Sequence, residues 1–154
     1  MFRIDTASAM EALGAGIARH APAAFTVFLS GQLAAGKTTL ARGLVRALGH
    51  AGAVKSPTFT LVESYDIAGR RVHHFDLYRI ADPEELEYIG LDEYFDDGAL
   101  CLVEWPERGT GCLPVADLEL NFRVVAAGRH VEALARTPAG EKLLNEMRIS
   151  LLNS

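Results

Sequence analysis

The chain has 154 residues, of which 49% are hydrophobic and 23% are charged, and its formal net charge is −5. Its length predicts a single domain over residues 1–154, and its near-average composition excludes wholesale disorder, collagen-like repeats and a coiled coil. Because the net charge is negative, the chain is a poor candidate for holding nucleic acid by general electrostatics alone.

No apolar run approaches the roughly 18 residues that a membrane-spanning helix needs. The first residues lack the apolar stretch of a secretory signal. The two cysteines, Cys101 and Cys112, form neither a disulfide framework nor a metal-binding spacing. We therefore expect a protein of the reducing cytoplasm with no membrane partner.

The first half of the chain alternates between helix and strand patterns. Ser8 and Glu11 fit a capping box at the start of a first helix. The β-branched and aromatic run over 25–30 predicts a buried strand. Leucines, alanines and a valine at helical spacing over 38–48 predict a second helix, and Gly49 is suited to end it.

The second half begins with two strand patterns, over 58–65 and 71–75, that a turn at 68–69 would join. The stretch 82–85 combines a cap, an early proline and acids in the first turn, which indicates the start of a helix. The continuous apolar run over 99–103 is typical of a strand that is covered on both faces.

Two alternating stretches, over 118–124 and 131–135, predict an antiparallel hairpin at the edge of a sheet. The residues from Pro138 onwards are helical in pattern, with Leu143, Met147 and Leu151 on one apolar stripe. Strands that alternate with helices, followed by this hairpin, predict an α/β fold. We expect a mostly parallel sheet flanked by helices, as in P-loop nucleotide hydrolases, with the antiparallel hairpin at the C-terminal end.

The strongest motif is the stretch 31–38, with the sequence GQLAAGKT, which matches the phosphate-binding P-loop pattern G-x-x-x-x-G-K-[ST]. It leaves the predicted buried strand and enters the predicted helix, so its N–H groups and the helix dipole favour a phosphate at one point. Gly36 would let the backbone approach the phosphate, Lys37 would reach its β and γ groups, and Thr38 would place a hydroxyl at Mg2+. This context favours a nucleotide site over a turn that merely carries a surface lysine.

A P-loop that binds Mg2+ needs an acid at the end of a neighbouring strand. Two candidates follow apolar runs, namely Glu104 after 100–103 and Asp76 after 73–75. We favour Glu104 as the metal ligand because its run is the more continuously apolar. Asp76 is then an acid that contacts the ligands of the metal rather than the metal itself, a group that positions water, or a cap for the turn that follows.

His73 and His74 are adjacent, and neighbouring strand residues face opposite sides of a sheet. We therefore expect one of them to be packed and the other exposed, rather than both to bind a metal. Trp105 follows Glu104 directly, and either shields that acid from water or only packs. No Ser-His-Asp or Cys-His set has independent support in the sequence, and Cys101 is most simply a small core residue.

Five further blocks accompany the P-loop: VKSPTFTLVE at 54–63, HFDLYR at 74–79, DPEELE at 82–87, LVEWP at 102–106 and GTG at 109–111. In these blocks and their order, which span about residues 5–135, the chain resembles the bacterial TsaE (YjeE) family. The combination is far more specific than a P-loop alone. The stretch beyond Pro138 carries little of the resemblance.

The resemblance implies a small ATPase that binds ATP and Mg2+ and is needed for the threonylcarbamoyladenosine (t6A) modification of tRNA next to the anticodon. Such a protein would act on a complex of TsaB and TsaD, in which TsaD holds the transferase site, and would reach tRNA only through that complex. Its ATP hydrolysis would reset the complex between turnovers, slowly alone and faster with the partners.

The resemblance also assigns roles to residues at the matching positions. The catalytic set that it implies is Lys37, Thr58, Asp76 and Glu104. Mg2+ would be held by Thr38 and Glu104. The nucleotide would be held by Ala7, Leu33, Ala34, Ala35, Gly36, Lys37, Thr38, Thr39, Asp76 and Arg129. Within the chain, 56–58 looks like a switch segment and 5–7 looks like the contact with the adenine side.

Two residues depart from the family's usual loop sequence, G-D-L-G-A-G-K-T. Gln32 removes a carboxylate near the nucleotide, which is harmless or slightly favourable beside phosphates. Ala34 replaces a glycine. If this position requires a positive φ, its Cβ costs about 1 kcal/mol and bears on loop geometry and nucleotide affinity.

Two other functions share the P-loop. A small-molecule kinase needs an acceptor pocket and usually an arginine-bearing lid, but the acidic stretch 82–97 would repel a phosphorylated acceptor. A nucleotide-gated binding module with negligible catalysis is a further alternative, which Ala34 keeps open. The sequence has no guanine-reading N-K-x-D element, which favours ATP over GTP.

Overall fold

The computed structural model describes residues 2–152, with side chains described through residue 149. Within this range the strands are β1 (Phe2–Ile4), β2 (Phe25–Ser30), β3 (Val62–Ile67), β4 (Arg70–Asp76), β5 (Leu100–Glu104), β6 (Leu118–Val125) and β7 (Gly128–Ala135). The helices are α1 (Ala7–His20), α2 (Lys37–Ala47), α3 (Glu85–Tyr88), α4 (Leu91–Phe95) and α5 (Pro138–Leu152), with a 3-10 turn at Pro106–Gly109.

The strands form one seven-stranded sheet in the order β1-β7-β6-β2-β5-β4-β3. The central strands β6, β2, β5 and β4 are parallel to one another, whereas β3, β7 and β1 pair antiparallel with their neighbours. The α/β class is confirmed, but the expectation of a mostly parallel sheet is wrong because three of the six pairings are antiparallel. A tight turn at Ala68 and Gly69, both with positive φ, makes β3 run antiparallel to β4.

The C-terminal hairpin is present, with β6 and β7 paired along their whole length. It does not lie at the edge of the sheet, contrary to the expectation from the sequence. β6 lies beside β2, and β1 covers the outer side of β7, where Phe2 pairs with Val131. A three-residue strand is too short to show a period of two, so the sequence pattern does not reveal β1.

The apolar core lies on both faces of the sheet. α1, α2 and α5 cover one face, which includes Val27 and Leu102 of the strands. α3 and α4 cover the other face, which includes Phe75 and Cys101. All five residues of β5 are buried, as its apolar run predicts. Burial raises the pKa of the Cys101 thiol to about 12, which agrees with its interpretation as a small core residue.

Two predicted element starts are wrong. α1 begins at Ala7, so Ser8 lies inside the helix, and the cap is Thr6, whose Oγ1 accepts a hydrogen bond from the Ala9 N–H at 3.0 Å. β3 begins at Val62 rather than at residue 58, because the residues before it form a turn. Both starts are set by local hydrogen bonds that side-chain periodicity does not report.

The stretch 82–85 does introduce a helix, but α3 is only four residues long. α5 follows the predicted C-terminal pattern and buries Leu143 and Met147, whereas the side chain of Leu151 lies outside the described residues. No helix within residues 2–152 has both the length and the apolar character that crossing a membrane would require.

α1 and α2 pack backbone against backbone. A Cβ at Gly14 of α1 would lie 2.0 Å from the Leu40 carbonyl oxygen, and one at Gly43 of α2 would lie 2.1 Å from the Glu11 carbonyl oxygen. Neither backbone can yield without separating the helices. This contact fixes the direction of α2, and hence of the loop that enters it.

Replacing Gly14 with alanine is expected to lower the free energy of unfolding by about 2 kcal/mol or more, because overpacking outweighs the gain of about 1 kcal/mol in helix propensity. Gly16→Ala is the matched control in the same helix, since its Cβ would meet only the flexible end of Met147, at 3.2 Å. Urea denaturation of both variants measures the difference. Equal stabilities would contradict the close helix contact.

Candidate functional site

The carboxyl ends of β2, β4 and β5 meet at one edge of the sheet because these strands are parallel neighbours. Glu104 of β5 pairs in register with Leu29 of β2 on one side and with Asp76 of β4 on the other. The 31–38 loop leaves β2 at this same edge. The structure therefore brings together the loop and the two acids that the sequence singles out separately.

Three residues of the 31–38 loop, Gly31, Ala34 and Gly36, have a positive φ. Gly36, the residue before α2, has φ 107°, and a Cβ there would lie 2.7 Å from Cε of Met10. Ala34 has φ 63°, so the alanine at this position does hold its Cβ in the left-handed region. The 11-residue helix α2 begins here and adds the positive end of its dipole.

Lys37 is the first residue of α2 and is only 4% exposed. Its Nζ donates a hydrogen bond of 2.6 Å to the Gly31 carbonyl and lies 4.0 Å from the centroid of the Trp105 ring. Burial lowers the pKa of Lys37 below its ordinary value of 10.5, although the nearby charges of Glu104 and Asp76 act to raise it. A buried ammonium of this kind favours a negatively charged ligand.

Glu104 is 3% exposed and holds two polar contacts on one oxygen. Its Oε2 accepts a long hydrogen bond of 3.4 Å from the Thr38 hydroxyl and lies 2.6 Å from Nε2 of His74. The carboxylate thus lies between the start of α2 and the interior of the sheet.

Asp76 connects β4 to the predicted switch segment. Its Oδ2 accepts a hydrogen bond of 2.9 Å from the Thr58 hydroxyl, which in turn lies 2.8 Å from the Ser56 hydroxyl. Its Oδ1 accepts one of 3.0 Å from the Tyr78 N–H. Asp76 therefore does cap the turn after β4, and its other oxygen is available to a network at the loop.

Two adjoining cavities lie on the two sides of the loop. The first has a volume of about 210 Å³ and is lined by Leu33, Ala34, Gly36, Lys37, Thr38, Thr39, Ser56, Thr58, Asp76, Glu104 and Trp105. The second has a volume of about 200 Å³ and is lined by Ile4, Asp5, Thr6, Ala7, Met10, Ala34, Gly36, Thr39, Gly128 and Arg129. They share three lining residues of the loop and helix, namely Ala34, Gly36 and Thr39.

Every predicted site residue except Ala35 lines one of these cavities. Ala7 and Arg129 line the second cavity, and the others line the first. Ala35 is fully buried in the core beneath the loop. Met10 lines the second cavity as well as packing in the core, and its helical spacing in the sequence indicates only the core position.

Arg129 ties the hairpin turn to the loop. Its Nη2 donates a hydrogen bond of 3.2 Å to the carbonyl of Ala34, and its Nη1 donates one of 2.9 Å to the carbonyl of Gly128. The contact joins residues 95 positions apart in the chain. It braces the one non-glycine residue of the loop that has a positive φ.

The donors near Lys37 fit a hard divalent cation that is bound together with a phosphate. The Thr38 hydroxyl and the Glu104 carboxylate are oxygen ligands of the kind that Mg2+ prefers, and Mg2+ usually takes its remaining ligands from phosphate and water. Among residues 2–152, no group of three or more His, Cys, Asp or Glu side chains is placed to hold a metal ion.

Both adjacent histidines are buried, so the expectation that one is exposed is wrong. They do face opposite sides of β4. His74 contacts Glu104, whereas His73 lies 2.7 Å from the Ser64 hydroxyl through Nδ1 and 3.1 Å from Asp97 through Nε2. His73 is covered because α4 packs an aromatic ring 4.9 Å from it. The sequence does not indicate this Ser-His-Asp series.

Comparison with known proteins shows the family to which the chain is similar. Residues 4–131 match the family model described as threonylcarbamoyl adenosine biosynthesis protein TsaE. The chain is 50% identical to the tRNA threonylcarbamoyladenosine biosynthesis protein TsaE of Haemophilus influenzae, over 82% of this chain and 80% of that protein. It is 38% identical to the Bacillus subtilis protein of the same name, over 74% and 70% of the two chains.

The fold is similar to a solved structure. The crystal structure of YdiB from Bacillus subtilis matches with a TM-score of 0.83 and 29% identity, covering 97% of this chain and 93% of that one. The similarity extends beyond the 31–38 loop to nearly the whole sheet and its helices.

Ala34→Gly is expected to raise the free energy of unfolding by about 0.5–1 kcal/mol. It removes a Cβ from a left-handed backbone conformation, which costs roughly 1–2 kcal/mol. The greater freedom of glycine in the unfolded chain opposes this gain by about 0.4–1 kcal/mol. Ala35→Gly, at a buried neighbour without positive φ, is the control and is expected to destabilise. Urea denaturation measures both variants. A less stable Ala34→Gly variant would show that the loop is not strained at this position.

Lys37→Met is expected to change how stability depends on pH. The pKa of Lys37 is lower in the folded protein than in the unfolded chain, so between the two values the unfolded chain binds more protons and stability rises with pH. The wild type should therefore gain stability relative to the variant as the pH rises towards 10.5, the ordinary pKa of a lysine. Denaturant titrations at several pH values across this range measure the difference in free energy of unfolding between the wild type and the variant. A difference that stays constant, or that changes in the opposite direction, would contradict the burial of a charged ammonium.

Proposed function

The chain belongs to the TsaE family of tRNA threonylcarbamoyladenosine biosynthesis proteins, and from this membership we propose that it is an ATPase that binds and hydrolyses ATP with Mg2+ in support of that modification. The observation that carries the proposal is the convergence of Lys37, Thr38, Asp76 and Glu104 on one cavity at the start of α2. A P-loop nucleotide hydrolase uses a lysine, a hydroxyl, an acid on the metal side and a group that positions water, and these four residues can supply them.

The loop and Lys37 bind the phosphates in this proposal. The backbone N–H groups at the start of α2 and its dipole favour an anion, and the loop sequence between Gly31 and Gly36 contains no acid. Lys37 is held by a neutral carbonyl and an aromatic ring, so a phosphate oxygen is a stronger partner than Gly31. The second cavity, beside Ala7 and Arg129, takes the nucleoside.

Thr38 and Glu104 would hold Mg2+. When bound, the ion would neutralise charge on the phosphate oxygens. Asp76 is the acid that faces the attacking water, and Thr58 orients it through the hydrogen bond to Oδ2. Thr58 lies in a turn, next to the exposed Phe59.

The partners in the proposal are TsaB and TsaD, and tRNA is reached only through their complex. Two large apolar side chains support a docking surface at the first cavity. Leu33 lines the cavity and is 58% exposed, and Phe59 follows the cavity residue Thr58 and is 84% exposed. In this proposal a partner protein that binds over the first cavity would cover these exposed side chains. The net charge of −5 disfavours direct retention of tRNA, and the cytoplasm is where this modification would occur.

Hydrolysis of ATP and formation of t6A should be measured together, with and without TsaB and TsaD. We expect slow hydrolysis by the isolated protein and faster hydrolysis with the partners. Glu104→Gln should lower the stimulated rate about 100-fold or more, as expected for removal of one group that stabilises the transition state. Glu87→Gln, an exposed acid on α3, is the control and should match the wild type.

Two results would contradict the proposal. One is rapid hydrolysis by the isolated protein that the partners do not change. The other is wild-type hydrolysis by Glu104→Gln. Normal t6A formation with a Glu104→Gln variant that binds ATP without hydrolysing it would instead favour a nucleotide-gated binding module.

A further inference from the structure

His74 is a buried polar side chain that the proposed chemistry does not use. It is fully buried within β4, and its Nε2 lies 2.6 Å from Oε2 of Glu104 on the neighbouring strand. In the register of the two strands His74 pairs with Leu102, so Glu104 is the next residue of β5 on the same face. The contact therefore follows from the sheet itself and not from a flexible loop.

The hydrogen-bond partners of His74 indicate its tautomer. At 2.6 Å a proton lies between Nε2 and the carboxylate oxygen. Nδ1 is buried and has no partner among the described residues. A proton on Nδ1 would be a buried, unpaired donor, which is costly, so we assign the ring proton to Nε2, which then donates to Oε2 of Glu104.

This donation constrains where Glu104 can point. Oε2 is shared between His74 and the Thr38 hydroxyl, at 2.6 and 3.4 Å. A carboxylate held at one oxygen cannot rotate freely about its side-chain torsions, so its position relative to Thr38 is fixed before any ligand arrives. Ligands that are oriented in this way by a second hydrogen bond bind metals more tightly.

We infer that His74 is a positioning residue that holds the Glu104 carboxylate ready for a divalent cation next to Thr38. The inference rests on the proposed function, because it presupposes that Thr38 and Glu104 hold Mg2+ with a nucleotide. Packing alone does not account for His74, because a leucine would fill the interior without leaving an unpaired nitrogen. His73, its neighbour, is also buried but faces the other side of β4, away from Glu104.

The test is the dependence of nucleotide affinity on Mg2+. Calorimetry gives the dissociation constant of a non-hydrolysable ATP analogue with Mg2+ and with a chelator. The dissociation constant in chelator divided by the one in Mg2+ is the ratio that isolates the contribution of the metal. His74→Leu should reduce this ratio about tenfold or more, the lower end of the range for loss of an outer-shell partner, and should leave the affinity in chelator unchanged.

Two further variants separate positioning from structure. His74→Gln keeps an N–H donor at about the reach of Nε2 and should restore most of the ratio, whereas His74→Asn is shorter and should not. His73→Gln is the matched control and should keep the wild-type ratio. If His74→Leu fails to fold, the Gln and Asn pair decides the question by the same ratio.

The outcomes distinguish the two proposals. A wild-type ratio well above one together with an unchanged ratio in His74→Leu or His74→Asn overturns the role of His74 and leaves the ATPase proposal standing. Loss of affinity in both Mg2+ and chelator, at a constant ratio, also overturns it, because that is the effect of a purely structural residue. A wild-type protein without Mg2+-dependent binding overturns both.

Discussion

The buried ammonium of Lys37 is the constraint on which the arrangement of this sheet edge depends. A charge that is 4% exposed requires compensation, and the structure supplies a carbonyl, an aromatic face and two nearby carboxylates. None of these is a direct ion pair. The carboxylates of Glu104 and Asp76 are held instead by Thr38, His74 and Thr58. Among the described residues, the ammonium therefore has no anionic partner in hydrogen-bond contact, which suits a lysine that exchanges a neutral contact for a phosphate.

The loop that places Lys37 is held in a conformation that its sequence does not favour. Ala34 has a positive φ, and the hydrogen bond from Arg129 reaches it from the far hairpin. β1 pairs with β7, so the first residues of the chain hold the strand that carries this arginine. From the other side, the glycine contact between α1 and α2 fixes the start of α2. Strain at the loop is thus balanced by elements from both ends of the chain.

The proximity of the 31–38 loop, Asp76 and Glu104 could be predicted from the sequence because each of these parts has a local signature. The 31–38 motif lies between a strand and a helix, and Asp76 and Glu104 each end an apolar run, so parallel pairing was enough to bring them together. The order of the strands has no such signature. β1 is too short to be periodic, and its pairing moves the hairpin inwards from the edge. The contact of His74 with Glu104 could not be predicted either, because it joins two strands through residues 30 positions apart in the chain.

The central claim is that the start of α2 binds a triphosphate through backbone amides, Lys37 and Mg2+. Calorimetric titration of the wild-type protein with ATP and with AMP, both in Mg2+, tests it most directly, because the two ligands share the nucleoside and differ in the β and γ phosphates. The account predicts uptake of one ATP per chain, much weaker uptake of AMP, and loss of the difference in Lys37→Met. Equal affinities for ATP and AMP, or no uptake of ATP at millimolar concentration, would contradict it.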